Sequence, residues 1–305
     1  MAKKIETIII FSFLSLFCLV TIYPVLNIVG VSLRTDDAFQ SRSLSLIEFE
    51  EKYEDINGNG KWDKGERYED VNNNSKWDSG SSIKSYLNLF TETDFLLWTW
   101  NSIIISFVVT LTGVIFASTG GYALSRFKFK GREFGMIALM TTQMFPATML
   151  LLPFFILLSY LELINSYIGL IIIYSSTALP FCIWQMKGYY DTIPPSLEES
   201  ARLDGCTRYQ AFYKIILPLS SPALVITALF SFMASWSEYV VAAIILQDPK
   251  LYTLPLGLKS FQASLSTQWG LYAAGAVVVS IPVCILFISL SRFLVSGLTM
   301  GSVKE

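Results

Sequence analysis

The chain has 305 residues, 53% of them hydrophobic and only 15% charged, with a formal net charge of −2 and no histidine. A soluble domain is nearer roughly 45–50% apolar and about 25% charged, so most of this chain is built for a lipid environment. The missing imidazole excludes Ser–His and Cys–His dyads and histidine-based zinc sites, and no basic patch of nucleic-acid type is present. Cys18, Cys182, Cys206 and Cys284 lie in or beside apolar segments without metal-ligand spacing and read as packing residues.

Lys3 and Lys4 precede an uncharged run from Thr7 to Leu33. It is too long for a signal-peptide core and reads as a first membrane helix, with residues 1–33 forming an N-terminus and span. Further uncharged runs predict helices at about 97–122, 135–160, 165–187, 220–245 and 270–295, each supplying the roughly 20 residues that cross a bilayer. The expected fold is an all-α membrane protein of six helices, with residues 95–297 holding helices 2–6. Trp98, Trp100, Trp184, Tyr189 and Tyr190 fall near the proposed interfaces and suggest aromatic belts. Pro146, Pro153, Pro180 and Pro282 sit inside spans, as static kinks or gating bends.

Short connections set the orientation. The 2–3 link carries Arg126, Lys128, Lys130 and Arg132, and the 4–5 link carries Lys187, Arg202, Arg208 and Lys214. With Lys3, Lys4, Arg292 and Lys304 they share one face, against only Lys250 and Lys259 in the opposite short links. The positive-inside rule therefore places both termini in the cytoplasm.

Residues 34–94 form an acidic insert, with 8 Lys/Arg against 14 Asp/Glu. It contains a repeat: Tyr53-Glu54-Asp55-Ile56-Asn57-Gly58-Asn59-Gly60-Lys61-Trp62-Asp63 is echoed by Tyr68-Glu69-Asp70-Val71-Asn72-Asn73-Asn74-Ser75-Lys76-Trp77-Asp78. The first copy (55–66) fits a twelve-residue Ca²⁺ loop. Asp55, Asn57, Asn59, Asp63 and Glu66 would supply hard side-chain oxygens, Lys61 its carbonyl, and Gly60 the sharp turn. The second copy (70–81) keeps Asp70, Asn72, Asn74 and Asp78 but has Ser75 and Ser81 where glycine and glutamate belong. The alternative is a pair of solvated polar turns. The insert has few apolar residues, so metal clips would be its main staple.

Residues 191–219 are a polar interval in an apolar chain. Pro194 and Pro195 open it. Ser196 reads as an N-cap with Glu199 at capping-box spacing. Gly205 breaks the helix, Thr207 caps a second one, and Pro218 closes the segment. Glu199 and Asp204 could pair with basic groups of a partner, and Ala201 permits close approach. The bland alternative is a solvated connector between helices 4 and 5. In the next span, Glu238 is a carboxylate set deep in a predicted helix. With Ser235 and Tyr239 it lines a polar translocation path or serves a structural hydrogen bond.

Glu199, Ser200, Ala201, Asp204, Gly205, then Ile215, Leu217 and Pro218, resemble the "EAA" loop of permease subunits of binding-protein-dependent ABC importers. Ser200 departs mildly from the family's alanine. Gln143-Met144-Phe145-Pro146, Lys187-Gly188-Tyr189, Tyr252-Thr253-Leu254 and the tail Gly297-Leu298-Thr299-Met300-Gly301-Ser302-Val303-Lys304 extend the resemblance to the smaller permease subunit of maltose/maltodextrin importers. The acidic repeat lies outside it. The resemblance implies a type I-like importer bundle in the cytoplasmic membrane of a bacterial or archaeal-type cell. It implies a second permease, a homodimer of cassette ATPases engaging 191–219 and the tail at 298–305, and an extracytoplasmic solute-binding protein meeting the 5–6 link at about 248–268. No Walker A pattern occurs in the chain, so no nucleotide is expected on it and it is not expected to be an enzyme.

The leading expectation is a permease for maltodextrin-like oligosaccharides. Another sugar, polyol or sugar phosphate is the alternative. A secondary transporter is disfavoured by the single intramembrane glutamate and the lack of an evident repeat among the spans. A membrane-anchored calcium-binding protein does not account for six spans.

Overall fold

The computed structural model describes residues 2–34, 51–59, 62–70, 77, 80–262 and 267–300. Among them there is no strand, only isolated bridges. The helices, in chain order, are α1 (Ala2–Ser32), α2 (Lys84–Thr91), α3 (Phe95–Arg126), α4 (Arg132–Thr142), α5 (Leu151–Tyr160) and α6 (Tyr167–Thr192). They continue as α7 (Ser196–Leu203), α8 (Arg208–Ala211), α9 (Leu217–Leu219), α10 (Ser221–Trp236), α11 (Val240–Ile245), α12 (Leu254–Ser260) and α13 (Trp269–Met300). Four helices among the described residues are long and apolar enough to cross a membrane, within α1, α3, α6 and α13. The polar segment that ends in α9 and the apolar α10 make a bent pair with a 77° angle, a fifth candidate span.

Two of the expected spans are interrupted. The run at 135–160 is not one helix: α4 stops at Thr142, a turn follows, and a 3₁₀ turn at Ala147–Leu150 leads into α5. Pro146, at φ −56° and ψ 130°, lies outside helical geometry. Proline lacks an N–H and disfavours a helical residue before it, so the ladder cannot pass. Just before the break the Gln143 side chain crosses to α6, donating from Nε2 to the Thr177 carbonyl at 3.0 Å. The run at 220–245 likewise divides into α10 and α11 around Ser237–Tyr239.

The chain divides into two bodies, residues 1–96 with 258–281, and residues 97–257 with 282–305. In the first, the insert returns to the end of α1. Ser82 donates its N–H to the Leu33 carbonyl at 2.6 Å, and the Ser32 and Tyr86 hydroxyls meet at 2.7 Å. The two repeats pair through the Tyr53–Tyr68 bridge. Their tryptophans stack, Trp62 on Trp77, with centroids 5.3 Å apart. Tyr53 and Tyr68 abut Trp77 and Trp62 edge-on, so the repeat's aromatic positions build its small core.

In the second body, α3, α6 and α10 pack closely through small residues, the usual way apolar helices associate where water exclusion gives no drive. A Cβ on Gly121 would lie 2.8 Å from Met186 Cβ and 2.9 Å from the Lys187 backbone nitrogen. Trp98 is no interfacial belt residue. It is buried, and its Nε1 donates to the Pro249 carbonyl at 2.9 Å. Tyr190 is also fully buried, whereas Trp100 and Trp184 are exposed. Asn101 donates to the Lys250 and Tyr252 carbonyls at 2.9 and 3.0 Å, so the 248–253 turn is tied to α3. Gly121→Val is expected to force α3 and α6 apart at a cost of about 1–3 kcal/mol, read as a lower melting temperature of the detergent-solubilised protein, with Gly135→Ala, which meets open space, as the control.

Candidate coupling surface

The polar segment is folded by local chemistry. Helix α6 ends at Thr192, and Ile193 is extended and buried. Pro195, not Ser196, holds the N-cap position of α7, and no side chain caps it. The proline φ of −59° is already helical, so the helix begins on it and Ser196 becomes the first helical residue. At the other end Cys206 N–H reaches the Ala201 carbonyl at 3.0 Å and Gly205 N–H the Arg202 carbonyl at 3.2 Å. This is a Schellman stop, and it needs the φ of +90° that Gly205 supplies. Thr207 then starts α8 with a capping box: its hydroxyl accepts from Gln210 N–H, and the Gln210 side chain accepts from Thr207 N–H.

The expected coupling residues separate into two sets. Glu199, Ser200, Asp204, Gly205 and Pro218 are exposed, while Ala201 is buried and Ile215 and Leu217 are half-buried. Ala201, Ala211 and Ile216 form the underside. Ile216 belongs to an apolar cluster with Tyr122, Met186, Tyr190 and Ile193, against which Ile215 and Phe212 also pack. The Tyr122 ring meets Phe212 at 4.4 Å and Tyr190 at 5.9 Å. On the outer side three apolar side chains stand in solvent: Leu203 is 89% exposed, Tyr209 87% and Tyr213 71%. Sequence reading passed over them, although large apolar residues in a charged interval were the available signal.

Sequence reading also passed over Glu198. Arg126, at the end of α3, donates from Nε to Glu198 Oε1 at 2.5 Å and from Nη2 to the Ile193 carbonyl at 2.8 Å. The Tyr122 hydroxyl donates to Glu198 Oε2 at 2.7 Å. Both charged side chains are only 13% exposed. Arg126 also donates to Ser125 Oγ, Ser125 donates to Asp191 at 2.6 Å, and Asp191 pairs with Lys187. The Arg208 guanidinium lies over the Phe127 ring, 5.6 Å from its centroid.

Glu238 closes the α10–α11 break. Its Oε1 accepts Val241 N–H at 2.9 Å and its Oε2 accepts Ala242 N–H at 3.3 Å, while the Tyr174 hydroxyl donates to Oε2 at 2.8 Å. The carboxylate thus supplies acceptors for the first turn of α11. The Ser235 hydroxyl is buried and donates to the Ser231 and Phe232 carbonyls, and Tyr239 packs on an apolar cluster. Glu238 and Ser235 spend their hydrogen bonds inside the protein.

In the insert, Asp55 Oδ1 accepts the Gly58 and Asn59 N–H groups, and Asp63 Oδ2 accepts the Asn57 and Asn59 side-chain amides. Glu66 folds across the loop, accepting Ile56 N–H and Asp63 N–H at 2.9 Å each. Among the described residues no three acidic or cysteine side chains converge as a preformed metal cluster. Gly60, Lys61, Asn72, Asn74, Ser75 and Asp78 lie outside the described residues, as do Gly301–Glu305 of the tail; Asp70 is described and half-buried.

A helix–turn–helix with a covered underside and an apolar outer face sits between two candidate spans. Residues 109–300 match the family described as binding-protein-dependent transport system inner membrane component. The chain belongs to that family. It is 31% identical over 306 residues to the maltodextrin transport system permease protein MdxG of Bacillus subtilis, covering 99% of this chain and 98% of the relative. It is 38% identical over 215 residues to the maltose/maltodextrin transport system permease protein MalG of Vibrio vulnificus, covering 68% and 72%. It is also 38% identical over 216 residues to the diacetylchitobiose uptake system permease protein DasC of Streptomyces coelicolor, covering 70% and 78%. The fold is that of a chain in the crystal structure of a bacterial ABC transporter involved in the import of the acidic polysaccharide alginate, with TM-score 0.74 over 95% of this chain and 97% of that one at 23% identity.

In this inner-membrane component, Glu238→Ala leaves two helix-start N–H groups and the Tyr174 hydroxyl without their acceptor. The expected cost is about 1–3 kcal/mol, measured as a lower unfolding midpoint, with Glu238→Gln losing less because an amide oxygen still accepts.

Proposed function

We propose that the chain is one of two permease subunits of an ATP-driven importer for maltodextrin-like oligosaccharides. The observation that carries this is the 191–219 handle: locked by the Gly205 stop and the Thr207 box, buried beneath, and exposed above through Glu199, Leu203, Tyr209 and Tyr213. Such a surface suits a cleft on a separate cassette ATPase. Family membership supports this partner, and hydrolysis belongs to it, since the chain has no Walker A pattern. Counting each interrupted run as one span gives six, with both termini and the handle on the cytoplasmic side by the positive-inside rule.

The breaks beside Pro146 and Glu238, with Ser235 and Tyr239, are the translocation-path candidates, because irregular backbone at membrane depth is tolerated where it is buried in protein or faces a cavity. The partner permease would complete the path. A solute-binding protein would deliver the sugar from outside, against the 248–268 link. Maltodextrin rests on relatives such as MdxG and MalG. The similar identity to DasC keeps a second reading open, an importer of another oligosaccharide.

The acidic insert is proposed as an extracytoplasmic Ca²⁺ module of structural purpose. Asp55, Asn57, Asn59, Asp63 and Glu66 offer only hard oxygens from their side chains, and Glu66 already spans the loop as a closing ligand would. A bound ion would replace the N–H groups those oxygens now accept. Lys61 would contribute its carbonyl, and Asp70, Asn72, Asn74 and Asp78 a weaker second site.

Two measurements test these readings. Gly205→Arg and Glu199→Lys are expected to leave the protein in the membrane but abolish ATP-driven sugar uptake in vesicles, and normal uptake would refute the handle's role. Titration of the full-length protein in detergent with Ca²⁺ is expected to give millimolar-range or tighter binding and a raised melting temperature, lost in Asp55→Ala and Glu66→Ala; no heat and no shift would refute the module.

A further inference from the structure

We propose that Arg126 and Glu198 are positioning residues that latch the coupling segment to α3, so that a push on α7 moves α3 and α6 together. This rests on the importer reading above.

Between α6 and α7 lie only Ile193, Pro194 and Pro195, a short arm stiffened by two prolines. That arm attaches α7 to one membrane helix. A single attachment lets a displaced handle swivel about it. The Arg126–Glu198 pair adds a second attachment, to a helix 72 positions away in sequence. Arg126 also holds the arm itself, through the Ile193 carbonyl. Through Ser125 and Asp191 the same network reaches the last turn of α6, where Lys187 pairs with Asp191. Three helix ends therefore meet on one guanidinium and its neighbours. The fork geometry matters, because Nε serves Glu198 while Nη2 serves the backbone, and a lysine cannot do both.

Stability alone does not require this pair. Replacing a buried ion pair by well-packed apolar side chains is often neutral or better, and the surroundings are already aromatic, with Tyr122, Phe127 and Phe212. What charges supply is a directional, single-register contact between two elements. The pair also borders a cavity of about 180 Å³ lined by Tyr122, Phe127, Pro195 and Arg208, space in which an exchanged pair can be seated.

The test uses the complete complex, recovered from membranes with its ATP-hydrolysing partner and reconstituted in vesicles, and reads sugar molecules imported per ATP hydrolysed. Arg126→Ala and Glu198→Gln are each expected to lower this ratio by about fivefold to tenfold, the scale of effect of residues that carry coupling without touching ligand. The exchanged pair, Arg126→Glu with Glu198→Arg, is expected to regain most of the loss, and Arg126→Lys to fall between. A merely structural role would reduce the amount of complex recovered and leave the ratio alone. A parental ratio in either single variant, or an exchanged pair no better than the singles, overturns the latch. If the single variants do not accumulate, Tyr122→Phe removes only the hydroxyl on Glu198; a lowered ratio supports the latch and an unchanged one overturns it. If the parent chain brings down no ATP-hydrolysing partner, the importer reading itself fails and the latch falls with it.

Discussion

A peptide group without a partner costs several kcal/mol in a hydrocarbon medium, and that constraint governs where this chain can leave the helical path. At such departures side chains take up backbone groups, some from within the break and some from distant parts of the fold. Gln143 reaches across to α6 at the Pro146 break. Glu238 accepts the N–H groups of α11. Asn165 accepts the N–H groups of Gln247 and Asp248, and Asn101 holds the carbonyls of the turn that follows. Glu238 is thereby occupied with backbone and with Tyr174.

The 191–219 segment follows the opposite regime. It lies among charged residues, so its shape is set by turn chemistry rather than by apolar packing alone. The Gly205 stop and the Thr207 box fix the angle between two short helices that would be marginal by themselves. Packing of Ala201, Ala211 and Ile216 then seats this preformed unit on the aromatic floor around Tyr122. The exposed Leu203, Tyr209 and Tyr213 are the consequence: an outer face with apolar side chains that the described residues do not cover.

The insert solves a different problem. It has little apolar material, and it spends its tryptophans and tyrosines on one stacked cluster in which each repeat contributes a matching pair. The repeat is thus an architectural device whatever it binds, since the equivalent aromatics of the two copies face one another. After the repeats the chain returns to the end of α1, where the Ser82 N–H meets the Leu33 carbonyl.

Much of this was legible in the residues. Long apolar runs located the spans, Gly205 and Thr207 announced their turns, and the spacing from Glu199 to Pro218 pointed to the family. Those features are local, and local sequence encodes them through φ preference, capping and hydropathy. Proline at 146 was visible, but whether it would bend or break the span was not, because that depends on what is at hand to cover the freed groups. The α10–α11 break depended on a carboxylate finding Tyr174 on another helix. Helices that are apolar on every side carry no periodic mark of which face meets protein and which meets lipid, so Trp98 and Tyr190 read as belt residues and proved to be core. Within 191–219 the chain by itself specified a helix, a turn and a helix. Only the tertiary structure decided that Glu198 faces inward to Arg126 while Glu199 faces out. Neighbouring residues on a helix point some 100° apart, and which of two adjacent glutamates meets the arginine is set by how α7 docks on α3.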